Sequence, residues 1–206
     1  MATTTPTAED DLAYLRALVA QGRRAPLTGG SIFVATGAIY GLQSLIYWAE
    51  LRGLIAIPQS VHHVLGLGPT VLFVALLTWV LWRDRGQGPT GLAARAMTAA
   101  FTAIGITNLV MAAIFAPAAL RAGSMDVWLF FPAVVFVLQG TAWLVASMIR
   151  RRVWMAAVSG GWFVSGVALG LAIGDLANYV LIVALAMGLF MVLPGLKLVR
   201  DARAAT

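Results

Sequence analysis

The chain has 206 residues, of which 61% are hydrophobic and only 11% charged, with no cysteine. Soluble globular domains carry about 25% charged residues, so this composition excludes a soluble enzyme or carrier and points to a lipid-embedded protein. Missing cysteines exclude disulfides, thiol catalysis and thiolate-held metals. The formal charge of +6 does not imply a nucleic-acid partner, because the arginines stand at the ends of apolar segments and not on a soluble face.

Residues 1–28 contain no continuous apolar run and scatter their charges (Glu9, Asp10, Asp11, Arg16, Arg23 and Arg24), unlike a cleavable signal. The first membrane segment is therefore expected to act as an uncleaved insertion signal. Thr7 to Gln21 reads as a short cytoplasmic or interfacial helix. Thr7 and Asp10 have capping-box spacing, three acids lie at the positive end of the dipole, and Gly22 is the expected stop. Leu12, Leu15, Leu18 and Val19 recur at helical spacing. That stripe could lie on the membrane surface, pack on the bundle, or dock a protein partner through residues 7–22.

Spans follow at about 30–49, 67–82, 97–115, 128–148, 154–173 and 177–196, with the third able to start nearer Leu92. A hydrocarbon core of about 30 Å needs roughly 17–25 residues of helix. Their uniform apolarity suits helices, which satisfy their own backbone, and not barrel strands. The predicted fold is an all-α bundle of six transmembrane helices (29–196), preceded by a segment over 1–28 and followed by a tail over 197–206.

Orientation follows from the basic residues. Arg16, Arg23, Arg24, Arg83, Arg85, Arg95, Arg150, Arg151, Arg152, Lys197, Arg200 and Arg203 fall on one side, and only Arg52 and Arg121 on the other. Twelve against two places both termini in the cytoplasm by the positive-inside rule. The Arg-, Ala- and Gly-rich composition with short loops suggests a bacterial inner membrane. Between spans, residues 83–89 read as a charged cytoplasmic turn, and Arg150-Arg151-Arg152 as a minimal hairpin. Glu50 to Gly66 is the longest outer connection. Asp175 is expected to cap the sixth helix. Trp48, Trp82, Trp128 and Trp154 lie at predicted span ends, where indoles favour the headgroup zone.

Small residues mark helix contacts. Gly37 and Gly41 on span one, and Gly166, Gly170 and Gly174 on span five, repeat every fourth position and would admit a close neighbour. Packing inside the monomer is the ordinary use of such a ridge, and a homodimer seam the other. No ionisable residue falls in the middle of a span, which weakens an ion-coupled transport reading. Gln43, Asn108 and Gln139 are the amides at membrane depth. Interhelical hydrogen bonding accounts for each, and solute binding is the alternative. Leu42-Gln43 with Trp48 is echoed by Leu138-Gln139 with Trp143, a faint sign of two inverted three-span halves.

His62 and His63 adjoin the outer start of span two, with Glu50 on the same side. They could be interfacial imidazoles, a pH sensor, or ligands to a metal or haem. Neighbouring helical residues point about 100° apart, so one ion would not take both readily. No phosphate-binding loop, HExxH or Gly-x-Ser-x-Gly motif is present, and no catalytic residue, metal or cofactor is assigned. Three functions stay open. The first is a non-enzymatic accessory or regulatory membrane component. The second is a small transporter or channel for an uncharged or weakly polar solute. The third is a haem- or quinone-associated redox protein.

Overall fold

The structure is a computed structural model describing residues 8–83 and 92–204, with side chains described from residue 29 onward except 81 and 92–94. Among these residues the fold is all-helical. In chain order the elements are α1 (Ala8–Leu51), α2 (Gln59–Arg83), α3 (Leu92–Ala122), α4 (Met125–Arg150), α5 (Val153–Leu171), α6 (Leu176–Met187), a π-helical segment (Gly188–Val192) and α7 (Leu193–Ala204). Six stretches are long and apolar enough to cross a membrane: Gly29–Leu51, Gln59–Val80, Arg95–Ala122, Met125–Arg150, Val153–Leu171 and Leu176–Ala204. The chain is a multi-pass membrane protein. Even the shortest, α5, rises about 28 Å at 1.5 Å per residue, enough to cross the hydrocarbon.

Four boundaries differ from the sequence expectation, one of them the sixth span, which stays helical to Ala204 through the stretch read as a tail. The first helix does not stop at Gly22, because α1 runs unbroken from Ala8 to Leu51. One interior glycine costs about 1 kcal/mol, and that does not by itself end a helix. Next, α2 opens at Gln59, which shortens the long outer connection to 52–58 and puts His62 and His63 on helix. The Pro58 carbonyl accepts from the amides of Val61 and His62, so the polar Gln59–His63 stretch is helical before it turns apolar. Finally, α3 continues to Ala122, leaving only Gly123 and Ser124 before α4. Gly123 takes φ 59°, a left-handed turn that costs glycine nothing. The Thr7–Asp10 cap and the turn over 84–91 lie outside the described residues and side chains.

Asp175 caps α6, its carboxylate accepting the Asn178 amide at 3.1 Å. The α4–α5 hairpin is closed by Arg151 in a left-handed conformation (φ 52°, ψ 44°). With Arg152, it forms the whole connection.

The core lies where α4, α5 and α6 meet, and contains Phe136, Trp143, Met155, Trp162, Leu169 and Tyr179. Phe136 and Trp162 meet edge to face with centroids 4.7 Å apart, a preferred aromatic geometry. A second aromatic group spans four helices. Trp143 of α4 packs against Phe33 of α1, Phe101 of α3 and Trp154 of α5 at 5.4–6.1 Å.

Glycine sets how closely helices approach. An added Cβ at Gly30 would lie 2.9 Å from the Gly195 carbonyl oxygen, and one at Gly195 would lie 2.9 Å from that of Gly30. The two backbones therefore touch where α1 crosses α7. Gly37 and Gly41 continue this seam against Met187, Met191 and Val192. On α5, Gly166 abuts Ala133 and Val137 of α4, whereas a Cβ at Gly170 or Gly174 meets open space. The three-glycine ridge expected on span five thus packs at one position only.

Gly30→Leu or Gly195→Leu should force α1 and α7 apart, at the about 1–3 kcal/mol typical of overpacking. Thermal unfolding in detergent should then show a lower midpoint for both, and an unchanged one for Gly170→Leu.

Candidate functional site at the α1–α2 hairpin

The polar chemistry of one end of the bundle is concentrated where α1 ends and α2 begins. Glu50 lies in the last turn of α1 and His62 in the first turn of α2. Their side chains meet at 2.7 Å, Glu50 Oε1 to His62 Nε2. Tyr47, three residues before Glu50 and so on the same helical face, stacks on the His62 ring with centroids 6.2 Å apart and planes 21° apart. His63 turns elsewhere, with its Nδ1 3.1 Å from the Gln59 carbonyl. Adjacent histidines thus serve different partners, as their angular separation on a helix requires.

An open depression of about 570 Å³ is lined by Gln59, His62, His63, Gly66 and Leu67. Beside it, Arg52 donates to Asn178 Oδ1 at 3.0 Å, and Asn178 donates to Asp175 at 2.7 Å. This chain fastens the end of α1 to the start of α6. No group of three or more His, Asp or Glu able to hold a metal occurs among the described residues. The carboxylate–imidazole pair can share or relay one proton, and it can join two helices by a charge-assisted bond.

The three amides do not line this depression. Gln43 of α1 donates its Nε2 hydrogen to the Leu65 carbonyl of α2 at 2.7 Å. Leu65 stands four residues before Pro69, which has no N–H to return to it, so Gln43 fills a vacancy in the α2 ladder. Asn108 lies on α3 with its Oδ1 shielded and without a donor among the described residues. Gln139 is half-buried on α4.

Two further cross-helix donors were not singled out from sequence, and the first follows the same logic. Trp162 Nε1 donates to the Phe190 carbonyl at 3.1 Å. Phe190 is four residues before Pro194. Tyr179 donates its hydroxyl hydrogen to the Leu129 carbonyl of α4 at 2.7 Å, a carbonyl three residues before Pro132 and so not the one that proline leaves without an amide. For the first, the available signal was Pro194 inside an apolar run, but nothing in the sequence says which donor reaches the carbonyl before it. Ser159 adds a further tie, donating to the Gly140 carbonyl at 2.7 Å.

Compared with protein-family models, with curated proteins and with solved structures, the chain matches none.

Gln43→Leu strands the Leu65 carbonyl and should cost about 1–2 kcal/mol, read as a lower unfolding midpoint. Asn108→Leu removes a shielded acceptor that has no donor and should be neutral or stabilising. With no native cysteine, spin labels can be placed in pairs on α1 and α2. Glu50→Gln or His62→Leu should broaden the α1–α2 distance distribution measured by pulsed EPR, while His63→Leu leaves it narrow.

Proposed function

We propose that the protein is a non-enzymatic accessory or regulatory component of a bacterial inner membrane. Both termini are cytoplasmic, and it acts through a membrane-embedded protein partner. The observation that carries this reading is the lopsided burial of the bundle. In the 18-residue apolar stretches of α4 and α5, 39% and 33% of residues are buried, against 6% in that of α2 and 0% in that of α3. Two helices thus contribute their length to the membrane and little to the core. A small bundle that needed only to hold itself together would bury them more evenly. Leu72 on α2 and Ile106 and Leu109 on α3 are among the large apolar side chains left exposed, a surface a partner helix could share with lipid.

The other readings draw less support. Gln43 is committed to the Leu65 carbonyl, and Gln43, Asn108 and Gln139 share no depression with the hairpin site, which leaves solute passage without a residue set. His62 is bonded to Glu50 and His63 faces its own helix, which is a poor start for an axial haem ligand.

The test is site-specific photocrosslinking in cells at native expression. Probes at Ile106 or Leu109 should give one adduct with a different membrane protein, and a probe at the exposed Val164 of α5 should give none. Adducts with lipid alone would sink the proposal, and a self-adduct would replace it with a homodimer.

A further inference from the structure

The opposite end of the bundle carries a different chemistry. There the α4–α5 turn presents Arg150, Arg151 and Arg152, and α7 presents Lys197, Arg200 and Arg203. The two elements are joined at Trp154, whose ring lies 5.5 Å from Lys197 Nζ. Asp201 is the one carboxylate of this end among the described side chains, and it is taken up by Lys197 at 3.2 Å. Arg150 is turned toward α3, its Nε 2.9 Å from Met97 Sδ. Arg151, Arg152 and Arg200 make no side-chain hydrogen bond or ion pair among the described residues, and all three are exposed. These cations have no internal anion to balance them.

The surface directly below them is apolar. Val153 is 85% exposed, Met148 68%, Leu193 54% and Leu196 49%. A basic rim set on a bare hydrocarbon-facing flank suits an amphiphile better than a soluble anion. A phosphodiester would sit among the guanidinium groups, with its acyl chains along α5 and α7. Arginine's planar fork matches phosphate oxygens two at a time. Trp154 stands at the level where an indole prefers the headgroup zone. Arg151 also holds a left-handed backbone that costs an L-residue about 1 kcal/mol and glycine nothing, so the turn keeps an arginine where its geometry favours a smaller residue.

We propose that the basic surface where the α4–α5 turn meets α7 is a binding site for the headgroup of an anionic phospholipid, held by Arg151, Arg152 and Arg200 beside Trp154. The site is independent of the partner reading above and needs only that this end face an anionic leaflet.

The full chain, reconstituted in nanodiscs of phosphatidylcholine and phosphatidylglycerol, provides the test. Native mass spectrometry after partial delipidation reads which lipid stays bound. Wild type should retain phosphatidylglycerol over phosphatidylcholine, and R151Q/R152Q should lower that preference by on the order of tenfold. R83Q/R95Q removes the same charge from the same end, away from this site, and should keep the preference. Equal loss in both double variants would mean a diffuse basic surface and overturn the site, as would equal retention of the two lipids by wild type. Inorganic phosphate in the buffer should not displace the bound lipid. If it does, the site takes a soluble phosphate and the lipid assignment fails.

Discussion

A backbone carbonyl inside a bilayer has no water to turn to, and this constraint organises the polar chemistry of the bundle. Helices satisfy it for themselves except where proline removes an N–H. Pro69 and Pro194 lie within or at the start of a helical run, and the carbonyl four residues before each is met by a donor from another helix. Gln43 reaches Leu65 and Trp162 reaches Phe190. These bonds tie α1 to α2 and α5 to the π segment. A break in one helix thus becomes a specific attachment to the next, in a solvent where apolar contact alone discriminates poorly between neighbours. Pro132 of α4 frees the Trp128 carbonyl, which no cross-helix donor among the described residues meets, and Pro117 of α3 is a second exception. No cross-helix donor among the described residues meets the carbonyl it frees, and α3 is the least buried helix and ends five residues later at Ala122. That carbonyl is close to the headgroup zone, where water can serve it.

The last span shows the same constraint combined with close packing. Between Met187 and Leu193 the ladder widens, the Leu193 amide bonding back five residues to Gly188. A π-helical turn shifts the register of the faces on either side of it. Here the shift lets Phe190 reach Gly161 of α5, while Gly195 beyond it meets Gly30 of α1. One helix therefore serves two neighbours. The Phe190 ring fills the space that a side chain at Gly161 would take, and its carbonyl holds the Trp162 indole one residue away.

Much of this architecture was legible in composition and pattern. Six apolar runs bounded by arginines gave the spans, and Asp175 announced its cap, because these depend on local chemistry. Contacts between helices were less legible. The Gly37–Gly41 pattern on α1 and the Gly166–Gly170–Gly174 pattern on α5 look alike in sequence. Yet α1 uses both of its glycines against the last span, and α5 uses only Gly166. Helix crossing decides this, and spacing along one chain does not encode it. The same holds for the hairpin site. Glu50, His62 and His63 could be named from sequence as neighbours in topology. Which histidine meets the carboxylate depends on the rotation of α2 about its axis, fixed in part by the Gln43–Leu65 bond. The outer loop was over-long for a simpler reason: a search for apolar residues finds the buried part of a helix and misses its polar first turn.

The two ends of the bundle resolve their charges in opposite ways. At the hairpin end, Glu50 is bonded to His62, and Arg52 leads through Asn178 to Asp175, two chains that each fasten one helix to another. Interactions of this kind hold a structure and leave little for a ligand. At the other end, arginines outnumber carboxylates among the described residues, and Arg151, Arg152 and Arg200 are exposed with no ion pair among them. Unpaired guanidinium groups do not stabilise the fold that carries them, because mutual repulsion among like charges works against it. Their favourable interactions must come from outside the chain. In a protein otherwise poor in exposed ionic chemistry, the end with unspent charge is the end that meets something else.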